Sequence, residues 1–145
     1  MRVAIGSDHA GFEQKQALVD YLASELGQDV IDLGPDSEER VDYPDYAALV
    51  ARAVAQGDAD RGVLVCGTGI GVALAADKVA GIRASSITTP EFAELFRQHN
   101  DGNVVCLSGR FVEPEVNREI VRVFLTTEFE GGRHADRVAK IMALD

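Results

Sequence analysis

Basic residues are scarce in this chain: 14 Lys and Arg stand against 24 Asp and Glu, a formal net charge of −10. Nucleic acids and anionic membranes are held by extended basic surface, so neither is an expected partner, and an anionic small molecule would need a local exception. No apolar run approaches the ~20 residues that span a bilayer. The chain starts directly on the strand-like Arg2-Val3-Ala4-Ile5-Gly6 and lacks the basic, apolar and small-residue regions of a signal peptide. A cytoplasmic location is the expectation that follows. There are only two cysteines, Cys66 and Cys106, each at the end of an apolar run and neither in the paired spacing of a disulfide framework or zinc site. Both read as free thiols in a reducing compartment. His9, His99 and His134 are the only histidines, far apart and without H-x₃-H spacing, so nothing in the spacing asks for a metal.

What is present is a regular alternation. With 145 residues, 46% of them hydrophobic, residues 1–145 fit one compact domain with a single sizeable core. Short runs rich in Val, Ile and Leu recur at Val3 to Gly6, Val30 to Gly34, Gly62 to Cys66, Ile82 to Ile87 and Asn103 to Leu107. They are mostly non-alternating, as strands covered on both faces should be. Between them lie helix-period stretches. Phe12, Lys15, Leu18, Val19, Leu22 and Leu26 mark one, with the Lys15 stem at its edge; Tyr46, Leu49, Val50, Ala53 and Val54 mark another. Helices also fit Val72 to Ala80, Pro90 to Gln98, Pro114 to Thr126 and Ala135 to Leu144, with Pro44, Pro90 and Pro114 near helix starts and Gly27, Gly57 and Gly81 at exits. The reading is an α/β fold: a three-layer α/β/α sandwich around a five-stranded parallel, Rossmann-like sheet.

In such a sheet ligands bind beyond the carboxyl ends of the strands, near the reversal in strand order. Three of those ends carry suggestive residues: Ser7-Asp8-His9, Cys66-Gly67-Thr68-Gly69-Ile70-Gly71 and Ser108-Gly109-Arg110. The alternate glycines of the second let the backbone curl with its N–H groups inward, a nest for an anion at a helix start. Its spacing matches neither the dinucleotide fingerprint nor the phosphate loop. A helix N-terminus also favours thiolate, which makes Cys66 a candidate base or nucleophile. A cysteine phosphatase would need arginine at position 72, where this chain has Val72. The plainer reading of Cys66 is a small buried apolar residue, and that reading is kept for Cys106, which lacks the loop. For Asp8 the plainer reading is a helix cap, and for His9 a loop residue. His99-Asn100-Asp101 closes the fourth helix, where an imidazole suits the dipole. Arg133 and Arg137, four apart, share a face if helical and would offer forked donors to a phosphate, with Arg110 able to join them.

Taken together, these segments resemble the type B ribose-5-phosphate isomerases and the related galactose-6-phosphate isomerases. The similarity runs through G-S-D-H-A-G-F at the N-terminus, D-Y-P at Asp42 to Pro44, C-G-T-G-I-G at Cys66 to Gly71, A-D-K at Ala76 to Lys78, G-I-R-A at Gly81 to Ala84, R-Q-H-N-D at Arg97 to Asp101 and E-G-G-R-H at Glu130 to His134. The resemblance implies an aldose–ketose isomerase of a small-molecule sugar phosphate with no cofactor. It also implies a homodimer, sometimes paired into a tetramer, whose pockets are shared between subunits. It makes Cys66 the base, His99 the ring-opening acid, and Thr68 with the Gly67, Gly69, Ile70 and Gly71 backbone the holders of the enediolate. Asp8 and Asn100 become sugar-hydroxyl contacts, His9, Arg110, Arg133 and Arg137 substrate and phosphate contacts, and Tyr43 a wall. A glutamate base used by another branch has Ile70 in its place here, leaving the work to Cys66. The expected substrate is ribose 5-phosphate; six- or four-carbon sugar phosphates, or a non-catalytic phosphosugar-binding role, are the alternatives.

Overall fold

Successive side chains along a strand point to opposite faces of its sheet, and here both faces are apolar. The computed structural model describes residues Met1–Asp145. Strands β1 (Arg2–Ser7), β2 (Asp29–Asp32), β3 (Arg61–Cys66), β4 (Ala84–Ser86) and β5 (Val104–Ser108) form one sheet in the order β2-β1-β3-β5-β4, with every pair parallel. Helices α1 (Phe12–Asp20), α2 (Tyr43–Ala55), α3 (Ile70–Ala76), α4 (Pro90–Asn100), α5 (Pro114–Thr126) and α6 (Arg133–Met142) connect and flank it. Val3, Ile5, Val63, Val65, Val105 and Leu107 face a core shared with Leu18, Phe96, Ile120 and Phe124 of α1, α4 and α5. The alternate positions Ala4, Leu64, Cys66, Val104 and Cys106 face a second core with Val50 of α2 and Val72 of α3. The three-layer expectation holds, and each large side chain so buried contributes about 1.5–3 kcal/mol.

Close packing of α2 comes from missing side chains beneath it. A Cβ on Gly6 would lie 2.9 Å from Val50 Cγ2 and one on Gly62 2.8 Å from Val50 Cγ1, so Val50 seats between two glycines of neighbouring strands. Pro44, Pro90 and Pro114 occupy the first turns of α2, α4 and α5, as expected.

Several boundaries differ from the sequence reading. The third helix was expected over Val72 to Ala80; it starts at Ile70, because Gly69 in a left-handed conformation caps it, and ends at Ala76. The Asp77 carboxylate then accepts the Ala84 N–H at 2.7 Å and closes a turn. The outer strands β2 and β4 are shorter than their apolar runs, since each has a neighbour on one side only. The first helix ends in a π turn over Tyr21–Glu25, and the last runs two residues earlier than Ala135 to Leu144. Asp8 is not the cap residue of α1: Gly11 holds that position, and the Asp8 carboxylate accepts the Gly11 N–H at 3.0 Å.

Lys15 departs furthest, being 1% exposed and not at an edge. Its ammonium donates to both oxygens of Asp32 at 2.8 and 2.9 Å and to the Pro35 carbonyl at 2.8 Å, with the Phe12 ring 5.2 Å away. A charge can be buried there because three oxygens replace its water. Asp32→Ala would leave one of those partners. Breaking a buried ion pair costs about 3–5 kcal/mol, and since Asp32 is one-third open to water the low end applies, about 3 kcal/mol. Urea titration of Asp32→Ala should therefore show a clearly lowered midpoint; an unchanged one would mean that water already carries the Lys15 charge.

Candidate active site

The chain leaves β1 for β2 on one side, then crosses back over β1 to β3, so the reversal in strand order lies between β1 and β3. Helices diverge there and a crevice opens above the carboxyl ends. A cavity of about 430 Å³ fills it, lined by Asp8, Tyr43, Cys66, Gly67, Thr68, Ile70, Gly71, Leu74 and Arg110. All but Leu74 were expected from the sequence.

Cys66 ends β3 with its side chain 5% exposed, and the Gly69 N–H donates to its sulfur at 3.1 Å. That bond requires Gly69 at φ +80°, a conformation that L side chains rarely adopt. The Ile70 N–H donates to Thr68 Oγ1 at 3.1 Å, which leaves the exposed Thr68 hydroxyl its own proton for a ligand. Two N–H groups of the expected nest are thus committed inside the loop. The other glycines admit the walls: a Cβ on Gly71 would lie 2.7 Å from the Tyr43 ring, and one on Gly67 3.1 Å from the Arg110 guanidinium. Gly109 N–H donates to the Cys66 carbonyl at 2.8 Å, and the Ser108 hydroxyl donates to the Gly67 carbonyl at 2.7 Å, fastening the loop to the end of β5. Cys106, in the same layer, is wholly enclosed, and burial pushes its thiol well above the ordinary range, followed by the Asp77 and Cys66 charges.

His9 stands beside the crevice. Its Nδ1 lies 3.2 Å from the Val41 nitrogen and 3.3 Å from the Val41 carbonyl oxygen, which ties the ring to the segment before α2. The segment that supplies Val41 is the one tied down by Lys15 through Pro35.

The remaining expected residues lie elsewhere in the chain. His99 and Asn100 end α4, just before Val104 opens β5, which puts them at the amino edge of the sheet. The Glu130 N–H donates to the Gln98 carbonyl at 3.1 Å and draws the start of α6 to the same place. There the His99 ring stacks on His134 with 4.4 Å between centroids, and Arg133 and Arg137 lie exposed on the first turns of α6. Burial, then His99 and Arg133, hold the His134 imidazole below the usual histidine range. Asn100 borders a separate cavity beside Arg83 and Met142. Within one chain, then, the thiol crevice and the imidazole–arginine cluster occupy opposite ends of the sheet.

The sequence reading missed Leu74, the Ser108 fastening, and the union of His99 with His134 and Glu130, whose ligand atoms lie within 4.8 Å of one another. No motif signals that union, because it is made by packing α6 against α4.

A model of the ribose/galactose isomerase family matches residues 3–141. The chain is 49% identical to ribose-5-phosphate isomerase B of Escherichia coli (strain K12), over 99% of this chain and 96% of that protein. Among solved structures it superposes on ribose-5-phosphate isomerase B of Clostridium thermocellum with a TM-score of 0.97 and 46% identity, covering 99% and 97% of the two chains. The corresponding protein of Mycoplasma genitalium, solved with bound ribulose-5-phosphate, gives 0.94 and 44%, covering 99% and 95%.

The two thiols should differ in reactivity. Iodoacetamide under native conditions is expected to label Cys66, which borders the cavity, and to leave Cys106 unlabelled, as peptide mass mapping would show. Equal labelling would contradict the contrast in access.

Proposed function

The chain belongs to the ribose/galactose isomerase family, and we propose that it interconverts ribose 5-phosphate and ribulose 5-phosphate with Cys66 as the proton-transfer base. It is an aldose–ketose isomerase acting on a small sugar phosphate. The observation that carries the assignment of the base is the Cys66 sulfur at the floor of the strand-end cavity with the Gly69 N–H directed at it.

A hydrogen next to a carbonyl is weakly acidic, so the reaction needs a base in contact with carbon and donors for the oxygens that gain charge. In the aldose direction the Cys66 thiolate takes the C2 proton, and the electron pair left behind moves toward C1 and its carbonyl oxygen. A cis-enediolate forms, held by the Thr68 hydroxyl and the loop backbone. The thiol returns the proton to C1 while the proton on the C2 oxygen passes to the C1 oxygen, so that C2 becomes the carbonyl of the ketose. Asp8 and His9 face the sugar, Tyr43 walls the cavity, and Arg110 adds a positive charge at the mouth.

Ring opening and phosphate binding need groups that one chain does not bring to this crevice. We assign them to a second copy: His99 of the partner subunit gives a proton to the ring oxygen as the bond from that oxygen to C1 breaks and the C1 hydroxyl gives up its proton to solvent, Asn100 of the partner subunit contacts a hydroxyl, and Arg133 and Arg137 of the partner subunit hold the phosphate. Support comes from the division of these residues between the two ends of the sheet, and from the apolar rim of the crevice, where Ile70 and Leu74 are 57% and 66% exposed on one face of α3. A second copy would cover that rim. The rest of the reading is one catalytic domain over residues 1–145, working in the cytoplasm as a homodimer or a pair of dimers without a cofactor.

A coupled assay over a panel of phosphorylated aldoses and ketoses should give the highest kcat/KM with ribose 5-phosphate and ribulose 5-phosphate; a higher value for a four- or six-carbon substrate would reassign the substrate. Cys66→Ala should lower kcat by about 10²–10⁴-fold, the usual contribution of a positioned acid or base, while substrate still binds. Near-normal turnover would remove Cys66 as the base.

Sharing of the pocket has its own test. Cys66→Ala and His99→Asn proteins, each inactive alone, should recover about a quarter of wild-type activity when unfolded and refolded together, since half the dimers are mixed and each mixed dimer has one intact site. No recovery, with mixed dimers present by native mass spectrometry, would place both residues in a single-chain site.

A further inference from the structure

Glu130 and His134 have no part in the reaction above, yet the fold sets both against His99. One ligand atom from each of the three lies within 4.8 Å of the others, and His134 Nε2 is 3.9 Å from Glu130 Oε2. The three arrive from different elements: the last turn of α4, the connection after α5 and the first turn of α6. Two imidazoles and a carboxylate are a donor set that suits zinc, and three protein ligands leave a fourth position open.

Tetrahedral zinc with bonds of about 2.0–2.2 Å holds its donors about 3.3 Å apart, so the widest gap must close by about 1.5 Å. The imidazole planes, now 14° from parallel, must also turn so that their lone pairs converge. Glu130 is exposed and can swing inward, and His99 sits at a helix end. Arg133 and Arg137 oppose a dication, and Glu130 offsets part of their charge.

We propose that His99, Glu130 and His134 form an inhibitory site for a divalent first-row cation of the zinc type. Hard cations such as magnesium do not fit, since they take oxygen ligands and near-octahedral geometry. The inhibition rests on the reading of His99 as the ring-opening acid: an imidazole nitrogen that binds a metal cannot carry a proton to the sugar.

Cobalt(II) replaces zinc in such sites and absorbs visible light when held by few ligands, so binding can be followed without any activity. Titrations should use the Cys66→Ala protein, which removes the thiolate as a competing ligand. We expect saturable visible absorption in Cys66→Ala, with the affinity falling by at least tenfold when His134→Asn or Glu130→Gln is added. Glu130 is exposed, so its variant tests the site even if His134→Asn folds poorly. In Cys66-containing protein, micromolar zinc should slow turnover reversibly by chelator, and Glu130→Gln should match wild type in chelator yet resist zinc. Identical cobalt curves across the variants, or equal zinc sensitivity of Glu130→Gln and wild type, would overturn the proposal. Failure of the isomerase reading would look different: no turnover in chelator, with cobalt binding undisturbed.

Discussion

The hydrogen bond from the Gly69 N–H to the Cys66 sulfur is the contact on which the crevice is organised. It exists because a parallel strand delivers Cys66 to the carboxyl edge and because a residue without a Cβ can turn back over it. Once Gly69 adopts its left-handed conformation, α3 must begin at Ile70, Thr68 must face outward, and Gly71 must sit where only a glycine lets the Tyr43 ring approach. The loop is held from below as well. Ser108 bridges the Gly67 carbonyl and the Phe111 N–H, and the buried Asn117 amide donates to the Ser108 carbonyl and to Gln14, which itself donates to the Gly109 and Val112 carbonyls. This polar network replaces water around a backbone that leaves the sheet and holds the loop against the end of β5.

The same architecture explains why the candidate functional groups are divided between two ends of the sheet. In a parallel sheet each helix returns the chain to the amino edge, so residues at the ends of helices are carried as far as possible from residues at the ends of strands. His99 and Asn100 close α4, and Arg133 opens α6 beside them; none can reach the crevice above β3 in the same chain. The distribution also reconciles the acidic surface with an anionic substrate. Against a net charge of −10, Arg110 at the crevice and the Arg133–Arg137 pair on α6 are local concentrations of positive charge.

The pairing of His99 with His134 is one packing contact on which both proposals draw. Stacked and shielded from water, with guanidiniums close by, the two rings favour a neutral state for His134. A neutral imidazole is a partner for a proton carrier, and it is also a metal ligand. The carboxylate of Glu130 makes the second role geometrically near.

The sequence by itself determined the layers and the strand-end chemistry. Non-alternating runs of Val, Ile and Leu too short for helices suit strands covered on both faces, proline marks helix starts because it lacks an N–H, and the C-G-T-G-I-G segment encodes its own curl through glycine, so these are local properties of adjacent residues. Tertiary structure decided what depends on distant residues meeting. Lys15 read as the edge of an amphipathic helix, because nothing local announces that Asp32 and the Pro35 carbonyl will enclose its charge. The end of the third helix was misplaced because Asp77 draws the chain aside only after Ala84 arrives. The three histidines read as unrelated, since 35 residues separate His99 from His134 and only the docking of α6 on α4 joins them. Periodicity and glycine spacing act within a few bonds, whereas a buried charge or a stacked ring pair is fixed by contacts that exist only once the chain has closed on itself.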